Sequence, residues 1–244
     1  MGEVKYSELI RSISYSQKEI LYNIMQLHNN GNGFDCDITY SSGKFYSNNK
    51  EAINVPQPKI KMDVSPMFED VIKIEPFKPL PLEDNSIESI VIDLPFVIAH
   101  RDLKSKEGSN VMINRFSSFY PMDELFANYY FWLKEAYRVL KEDGICVFKC
   151  QATITSTRQL MTPEFSWMLA TSCGFYTLDQ FFLLAKNRLH SGKIKKQQHA
   201  RKFTSTVYVF KKGMEKKKIK YLDFMDEEQQ SEFINNLMSN TLKK

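Results

Sequence analysis

The sequence predicts an α/β protein whose sheet is mostly parallel and ends in an antiparallel pair. Three observations carry that expectation. Short apolar runs alternate with amphipathic helical stretches. The run SIESIVIDLPF is apolar enough to be a strand covered on both faces. The last two apolar runs, DQFFLLAK and TSTVYVFKK, follow one another with no helical pattern between them. A chain of 244 residues, 43% hydrophobic and 25% charged, suits one larger α/β domain and excludes collagen, coiled coil, disulfide scaffold and wholesale disorder. No run approaches the ~18 consecutive apolar residues of a membrane span. The N-terminus, MGEVKYSELIRSISYS, lacks a basic-then-apolar leader, so a cytoplasmic protein with no membrane partner is expected.

Residues 16–29 place Ile20, Leu21, Ile24 and Leu27 at helical spacing behind Ser14 or Ser16 as a cap, and Gly31 and Gly33 stop the helix. A short strand is expected in FDCDITY, with a turn at Gly43. PKIKMDV and VIKIEPF read as two short strands that meet Asp63 and Glu75. A polar turn, LPLEDNS, leads into the buried strand that ends at Asp93. Residues 97–121 lack periodicity and read as a loop. Residues 122–141 form an amphipathic helix with Leu125, Tyr129, Trp132, Leu133, Ala136 and Leu140 on one side, ended by Asp143-Gly144, and ICVFKC is the next buried strand. A helix over 163–173 closes at Gly174. The final strand pair is joined by the basic segment 186–202, and residues 223–242 form a short amphipathic helix capped by Asp226. The expected division is a domain over 1–212 and a basic, helical extension over 213–244.

Charge is uneven. Residues 186–220 hold thirteen lysines and arginines against Glu215, a balance of +12, which leaves −8 on the rest of a chain of formal net charge +4. Such a block marks either a polyanion-binding face or a solvated hairpin and tail. Cys36, Cys146, Cys150 and Cys173 are spaced as buried reduced thiols rather than a metal knuckle, and His28, His100, His190 and His199 are scattered, so no metal is expected.

Chemistry concentrates at Asp93-Leu94-Pro95-Phe96, where a buried parallel strand runs out at the edge that binds ligands in open α/β sheets. The acid and the next carbonyl can accept the two protons of an exocyclic amine, and the ring can stack on an extruded base. Two such acceptors orient the nitrogen lone pair toward an electrophilic methyl group without a strong base. Lys149 and Gln151, ending the ICVFKC strand, either contact substrate, support Asp93 or are exposed strand-end polars.

With these residues in place, the chain resembles the amino-methylating DNA methyltransferases, whose motif is Asp/Asn/Ser-Pro-Pro-aromatic. It is more closely similar to a phage and mobile-element branch of S-adenosylmethionine-dependent enzymes. The resemblance rests on an ordered set over roughly 16–212: a Ser-x-x-Glu-Ile helix, DITYSSGKFY, a P-x-x-K-x-D strand, Asp-x-Pro-Phe, EAYRVLKEDGICVFKCQ and a final hairpin containing HARK. It implies a Rossmann-like class I fold, a seven-stranded sheet with one antiparallel strand, and methyl transfer from S-adenosylmethionine to a base amine, foremost N6 of adenine in DNA, with RNA as the alternative substrate. It also implies that Asp37, Tyr40, Ser41 and Gly43 cradle the cofactor's methionine part, that Asp63 binds its ribose and that Phe77 flanks its adenine. For Asp63 an acid in a turn, and for Phe77 a core ring, are the plain alternatives.

Two departures stand out. Leu94 replaces the first proline of the tetrapeptide, which keeps the carbonyl and loses a fixed φ. No Gly-x-Gly-x-x-Gly and no Phe-x-Gly-x-Gly turn is present. A degraded tetrapeptide also fits a catalytically silent, nucleic-acid-binding subunit of the same fold; a small-molecule methyltransferase would have no use for the basic hairpin. DNA contacts are expected from Arg101, Lys104 and Arg115 in the loop after the tetrapeptide, from Lys149, and from Lys195, Lys196, Arg201 and Lys202 in the basic segment. Neither segment is large enough to be a recognition domain, so selectivity should be short, loose or supplied by a partner subunit.

Overall fold

The computed structural model describes residues 9–46, 53–96, 122–155, 158–187, 197–213 and 226–242. In chain order the elements are β1 (Ile13–Ser14), α1 (Gln17–His28), β2 (Cys36–Asp37), β3 (Ile60–Asp63), β4 (Ile72–Lys73), β5 (Ile87–Ile92), α2 (Met122–Val139) and β6 (Leu140–Cys150). They continue with β7 (Thr153–Thr155), β8 (Arg158–Leu160), α3 (Thr162–Ser172), β9 (Tyr176–Leu184), β10 (Thr204–Lys211) and α4 (Glu227–Leu242). Eight strands form one sheet in the order β1-β9-β10-β6-β5-β2-β3-β4, and β7 and β8 make a separate hairpin. Within the eight-stranded sheet, among the described residues, only β10 runs against its neighbours, β6 and β9. This is a Rossmann-like α/β fold, with the expected antiparallel C-terminal pair and one short edge strand, β1, more than the seven expected.

Alternation along the strands divides the core into two layers. Ile90, Ile92, Cys146, Phe148, Cys150, Tyr208 and Phe210 face one way, onto Leu125, Tyr129, Trp132 and Leu133 of α2 and Leu169 and Ala170 of α3. Val91, Ile145, Val147, Val207 and Val209 face the other way, onto Ile20, Leu21, Ile24 and Met25 of α1. Ser16 caps α1 by accepting the Glu19 amide hydrogen, and the His28 ring meets Asp179 of β9 at 2.8 Å. Leu27 is half exposed, at 50%, instead of lying in the core. At about 100° per residue it falls at the rim of the face centred on Ile24 and Met25.

The helix α2 stops at Val139, four residues before Asp143, and Leu140 already belongs to β6. The Ser86 and Asn85 amides donate to the Val139 and Arg138 carbonyls, and Arg138 clamps the same turn through Glu135, Asp84 and the Leu80 and Leu82 carbonyls. Asp143, at φ +66°, belongs to an irregularity inside β6, where the pairing with β5 shifts register. Asp226 and Gln229 form a reciprocal cap on α4, and Ile234 packs on the α2–α3 layer. Among the described residues no helix is long and apolar enough to cross a membrane.

The chain leaves the sheet's middle at β2, runs outward through β3 and β4, and returns to β5 on the other side of β2 before building β6, β10 and β9. The strand order therefore reverses between β2 and β5. A crevice for ligands opens outside the carboxyl ends of strands at such a switch point.

Candidate active site

Register carries the central pair. Val91 lies opposite Val147 and Ile92 opposite Phe148, so the next positions, Asp93 just past β5 and Lys149 still within β6, stand side by side on the α1 face. The Lys149 Nζ donates to Asp93 Oδ2 at 2.8 Å, with the two side chains 14% and 17% exposed. The Gln17 amide, in the first turn of α1, reaches the same oxygen at 3.3 Å. Both contacts fall on Oδ2, and among the described residues none falls on Oδ1. The Lys149 ammonium also lies 5.8 Å from the centre of the Phe45 ring.

The second layer of the site is the loop after β2. Asp37 is buried, and its Oδ1 accepts the Thr39 amide at 2.7 Å and the Thr39 hydroxyl at 3.0 Å, while Oδ2 accepts the Tyr46 hydroxyl at 2.6 Å. Burial pushes the Asp37 pKa up to about 6, against the three hydrogen bonds that favour its ionised form. The Thr39 Oγ1 in turn accepts the Asp93 backbone N–H at 2.8 Å. One hydroxyl thus donates to the acid of β2 and accepts from the acid of β5, which uses its single proton and fixes the two strand ends together.

The rest of the tetrapeptide is anchored through the other layer. Leu94 is 7% exposed within the α2 cluster, and the buried Tyr129 hydroxyl donates to the Pro95 carbonyl at 3.2 Å. Burying a leucine side chain contributes about 2 kcal/mol, so at this position packing supplies part of the anchoring that a proline's fixed φ would give. Phe96 is half-buried.

Toward the other side of the crevice, Ser41 takes φ +49° and gives its amide hydrogen to Asp63 Oδ2 at 2.8 Å; Asp63 Oδ1 accepts the Ser65 amide. Asp63 therefore ties the loop to the end of β3, and each oxygen keeps a second lone pair for a hydroxyl donor. Gly43 sits at φ +62°, and a Cβ there would collide with the Tyr40 hydroxyl, which donates to Gln57 at 2.6 Å. The glycine thus serves the loop's own packing on Tyr40. A cleft of about 560 Å³ opens between Tyr40, Gly43, Tyr46, Lys18, Gln57 and Lys61. Phe77 holds φ +61°, rare for an aromatic residue, and its ring meets Phe131 of α2 edge-on at 5.5 Å. Backbone strain of this kind persists where surrounding structure over-determines it, and it clusters at binding sites.

Asp37, Thr39, Asp93 and Lys149 thus form one network, and Ser41 and Asp63 a second one adjoining it. Phe77 stands apart, beyond β4. Gln151 is buried and accepts the Ser205 hydroxyl at 2.9 Å. Arg201 is exposed, and Lys202 donates to Gln159 of β8 at 2.7 Å. Arg101, Lys104, Arg115, Lys195 and Lys196 lie outside the described residues. Thr39, Tyr46 and Gln17 are site residues that sequence reasoning missed. Of the alternatives open for Lys149, support of Asp93 is the contact the structure shows, and Gln151 instead meets Ser205. Burial raises the thiols of Cys36, Cys146, Cys150 and Cys173, the last two to about 12, so none is a nucleophile at neutral pH.

No protein-family model and no curated protein matches the sequence. Among solved structures, the chain is similar to the PvuII DNA methyltransferase, cytosine-N4-specific, with 18% identity over 55% of this chain and 45% of that one, at a TM-score of 0.40. A Thermus thermophilus protein assigned as a DNA modification methylase, complexed with S-adenosyl-L-methionine, shares 13% identity over 62% and 53% of the two chains, at a TM-score of 0.34. A Methanosarcina mazei SAM-dependent methyltransferase shares 10% over 83% and 81%, at 0.36. The match spans about half the length of the first two.

Proposed function

We propose that the chain transfers a methyl group from S-adenosylmethionine to an exocyclic amino nitrogen of a nucleobase, foremost N6 of adenine in DNA. The observation that carries this reading is the anchored Asp93: an acid at the topological switch point, its amide held by Thr39 and one carboxylate oxygen held by Lys149. Residues 1–212 are the catalytic domain in this reading and 213–244 its extension.

The crevice fits a cationic cofactor bearing a diol. Asp63, at the end of β3, keeps a lone pair on each oxygen for hydroxyls, Asp37 lies buried beneath the loop after β2, and Phe77 is half-buried in a strained conformation beside α2. When bound, S-adenosylmethionine supplies an electrophilic methyl group. Asp37, Ser41 and Asp63 would hold its polar end and ribose, and Phe77 its adenine. Asp93 Oδ1 and the Leu94 carbonyl accept the two amine hydrogens of the target base, which aims the nitrogen lone pair away from both acceptors. Lys149 and Gln17 hold Oδ2, so the carboxylate stays in one rotamer while Oδ1 receives the amine. Transfer would exchange the S–CH3 bond for an N–CH3 bond and leave a neutral thioether; the amine, made acidic by the new bond, would give its proton to Asp93 Oδ1, so no strong base is needed beforehand. Phe96 offers a face to the extruded base.

Nucleoside mass spectrometry of DNA and RNA incubated with the protein and S-adenosylmethionine tests the reading. N6-methyladenosine or its deoxy form is expected. N4-methylcytosine would move the target base, and no methylated base together with calorimetric failure to bind the cofactor would leave a silent nucleic-acid-binding subunit.

A further inference from the structure

Beyond Lys149, the ligand edge of the sheet continues over β6, β10, β9 and β1, and two large aromatic rings stand exposed on it. Tyr15, the residue after β1, is 61% exposed, and Phe203, the residue before β10, is 40% exposed. Both lie close to the catalytic acid in chain terms. Tyr15 is two residues from Gln17, whose amide reaches Asp93. Phe203 is two residues from Ser205, whose hydroxyl holds Gln151, itself two residues beyond Lys149. Between them, the end of β9 supplies Lys186: the Ala185 amide donates to the Phe203 carbonyl at 2.8 Å, and the Lys186 ammonium stands 5.9 Å from the Tyr15 ring centre. Lys186 and Arg201 are exposed, and no acidic residue occurs between 186 and 202.

The structure points to a stacking shelf for an unpaired polynucleotide strand, formed by Tyr15 and Phe203 with Lys186 and Arg201, along which the bases next to the target are laid. This inference rests on the nucleobase-methylation reading of Asp93. Cations alone would serve duplex and single strand equally, because both offer phosphates. Exposed ring faces serve only bases whose own faces are free, and in a duplex those faces are already stacked on their neighbours. An apolar ring left in water beside cations is also the pairing that nucleotides, apolar on their faces and anionic along their backbone, neutralise on both counts. Every base has such a face, so the shelf is tolerant of sequence.

The test is fluorescence anisotropy with labelled oligodeoxyadenylate, oligoriboadenylate and a mixed-sequence duplex, on wild type and on Tyr15→Ala, Phe203→Ala and Tyr15→Phe. Both rings are exposed, so thermal unfolding should be unchanged and verifies folding. The expected result is tighter binding of single strands than duplex, a loss of roughly 5- to 100-fold for each alanine variant on single strands, little change on duplex, and near-complete rescue by Tyr15→Phe. Preference between the deoxy and ribo strands then identifies the source of the strand. Equal binding of duplex and single strand, or alanine variants that bind single strands as wild type does, overturns the shelf. Methyl transfer is measured on the same samples. Aromatic-dependent strand binding without methylation would leave the shelf standing and remove the catalytic reading, and methylation indifferent to both rings would do the reverse.

Discussion

The buried Asp37 carboxyl makes the protein's stability fall as pH rises through the mildly acidic range. Its pKa is about 6 in the fold against an ordinary 3.8, because burial outweighs the bonds from Tyr46 and Thr39. The folded state therefore holds this proton more tightly than the unfolded chain does. Below about pH 4 both states are protonated and the site costs nothing. Between about 4 and 6 the unfolded chain releases its proton first, and stability drops. Above 6 both are ionised, and the full penalty remains. A displacement from 3.8 to about 6 corresponds, at about 1.4 kcal/mol per unit, to roughly 3 kcal/mol. The perturbation is Asp37→Asn, which keeps an acceptor for the Thr39 amide, leaves Tyr46 to turn its proton, and cannot titrate. Urea unfolding of both proteins from about pH 4 to pH 8 gives the difference curve, in which other titrating groups cancel. The wild type should lose roughly 3 kcal/mol relative to the variant across that window. Parallel curves would refute the reasoning and mean that Asp37 is hydrated in solution. A cationic ligand beside Asp37 should lower the pKa again, so S-adenosylmethionine affinity should rise with pH through 6 in the wild type only.

Three further outcomes follow from the same geometry. Thr39→Val removes the hydroxyl shared by Asp37 and the Asp93 amide, and should cost about 2–3 kcal/mol of stability and on the order of 10²-fold in kcat with little change in cofactor affinity; unaltered kcat would separate the loop from catalysis. Leu94→Pro restores the usual tetrapeptide but removes a buried leucine, so urea unfolding should show a loss of about 1–2 kcal/mol, with methyl transfer equal to or above wild type; an unfolded variant would contradict the assigned end of β5. Converting Lys195 and Lys196 to Ala together should weaken binding to all DNA sequences alike and flatten the salt dependence by about 0.9 for each phosphate left unneutralised, with turnover at saturating DNA unchanged; an identical salt slope would make the basic segment merely solvated.

What the sequence disclosed was set by local pattern. Near-continuous apolar runs in SIESIVID and ICVFKC located β5 and β6 as strands buried on both faces and placed Asp93 at a strand end. Amphipathic spacing found α1 and α2, and Gly174 marked the end of α3. Thr39 and Gln17 escaped because their roles are set by strand order: they meet Asp93 across 54 and 76 residues of chain. Tyr46 looked like any loop tyrosine until burial of Asp37 gave its hydroxyl a partner. Two-residue β1 has no pattern to read, and its pairing comes from docking beside β9. Glycine misled at one place and marked a turn correctly at another. Asp143-Gly144 marks a bend inside β6, since the turn at Asn85 and Ser86 closes α2 earlier, and Gly43 makes room for Tyr40.

The most direct test of the central claim is the rate of methyl transfer to adenine-containing DNA by Asp93→Ala, alongside calorimetry of S-adenosylmethionine binding. Asp93 is expected to touch the target amine and to contribute little to the cofactor site, so the rate should fall by at least about 10²-fold while cofactor affinity stays within a few-fold. A variant that keeps more than about a tenth of the wild-type rate would contradict the assignment of Asp93 as the group that receives the amine.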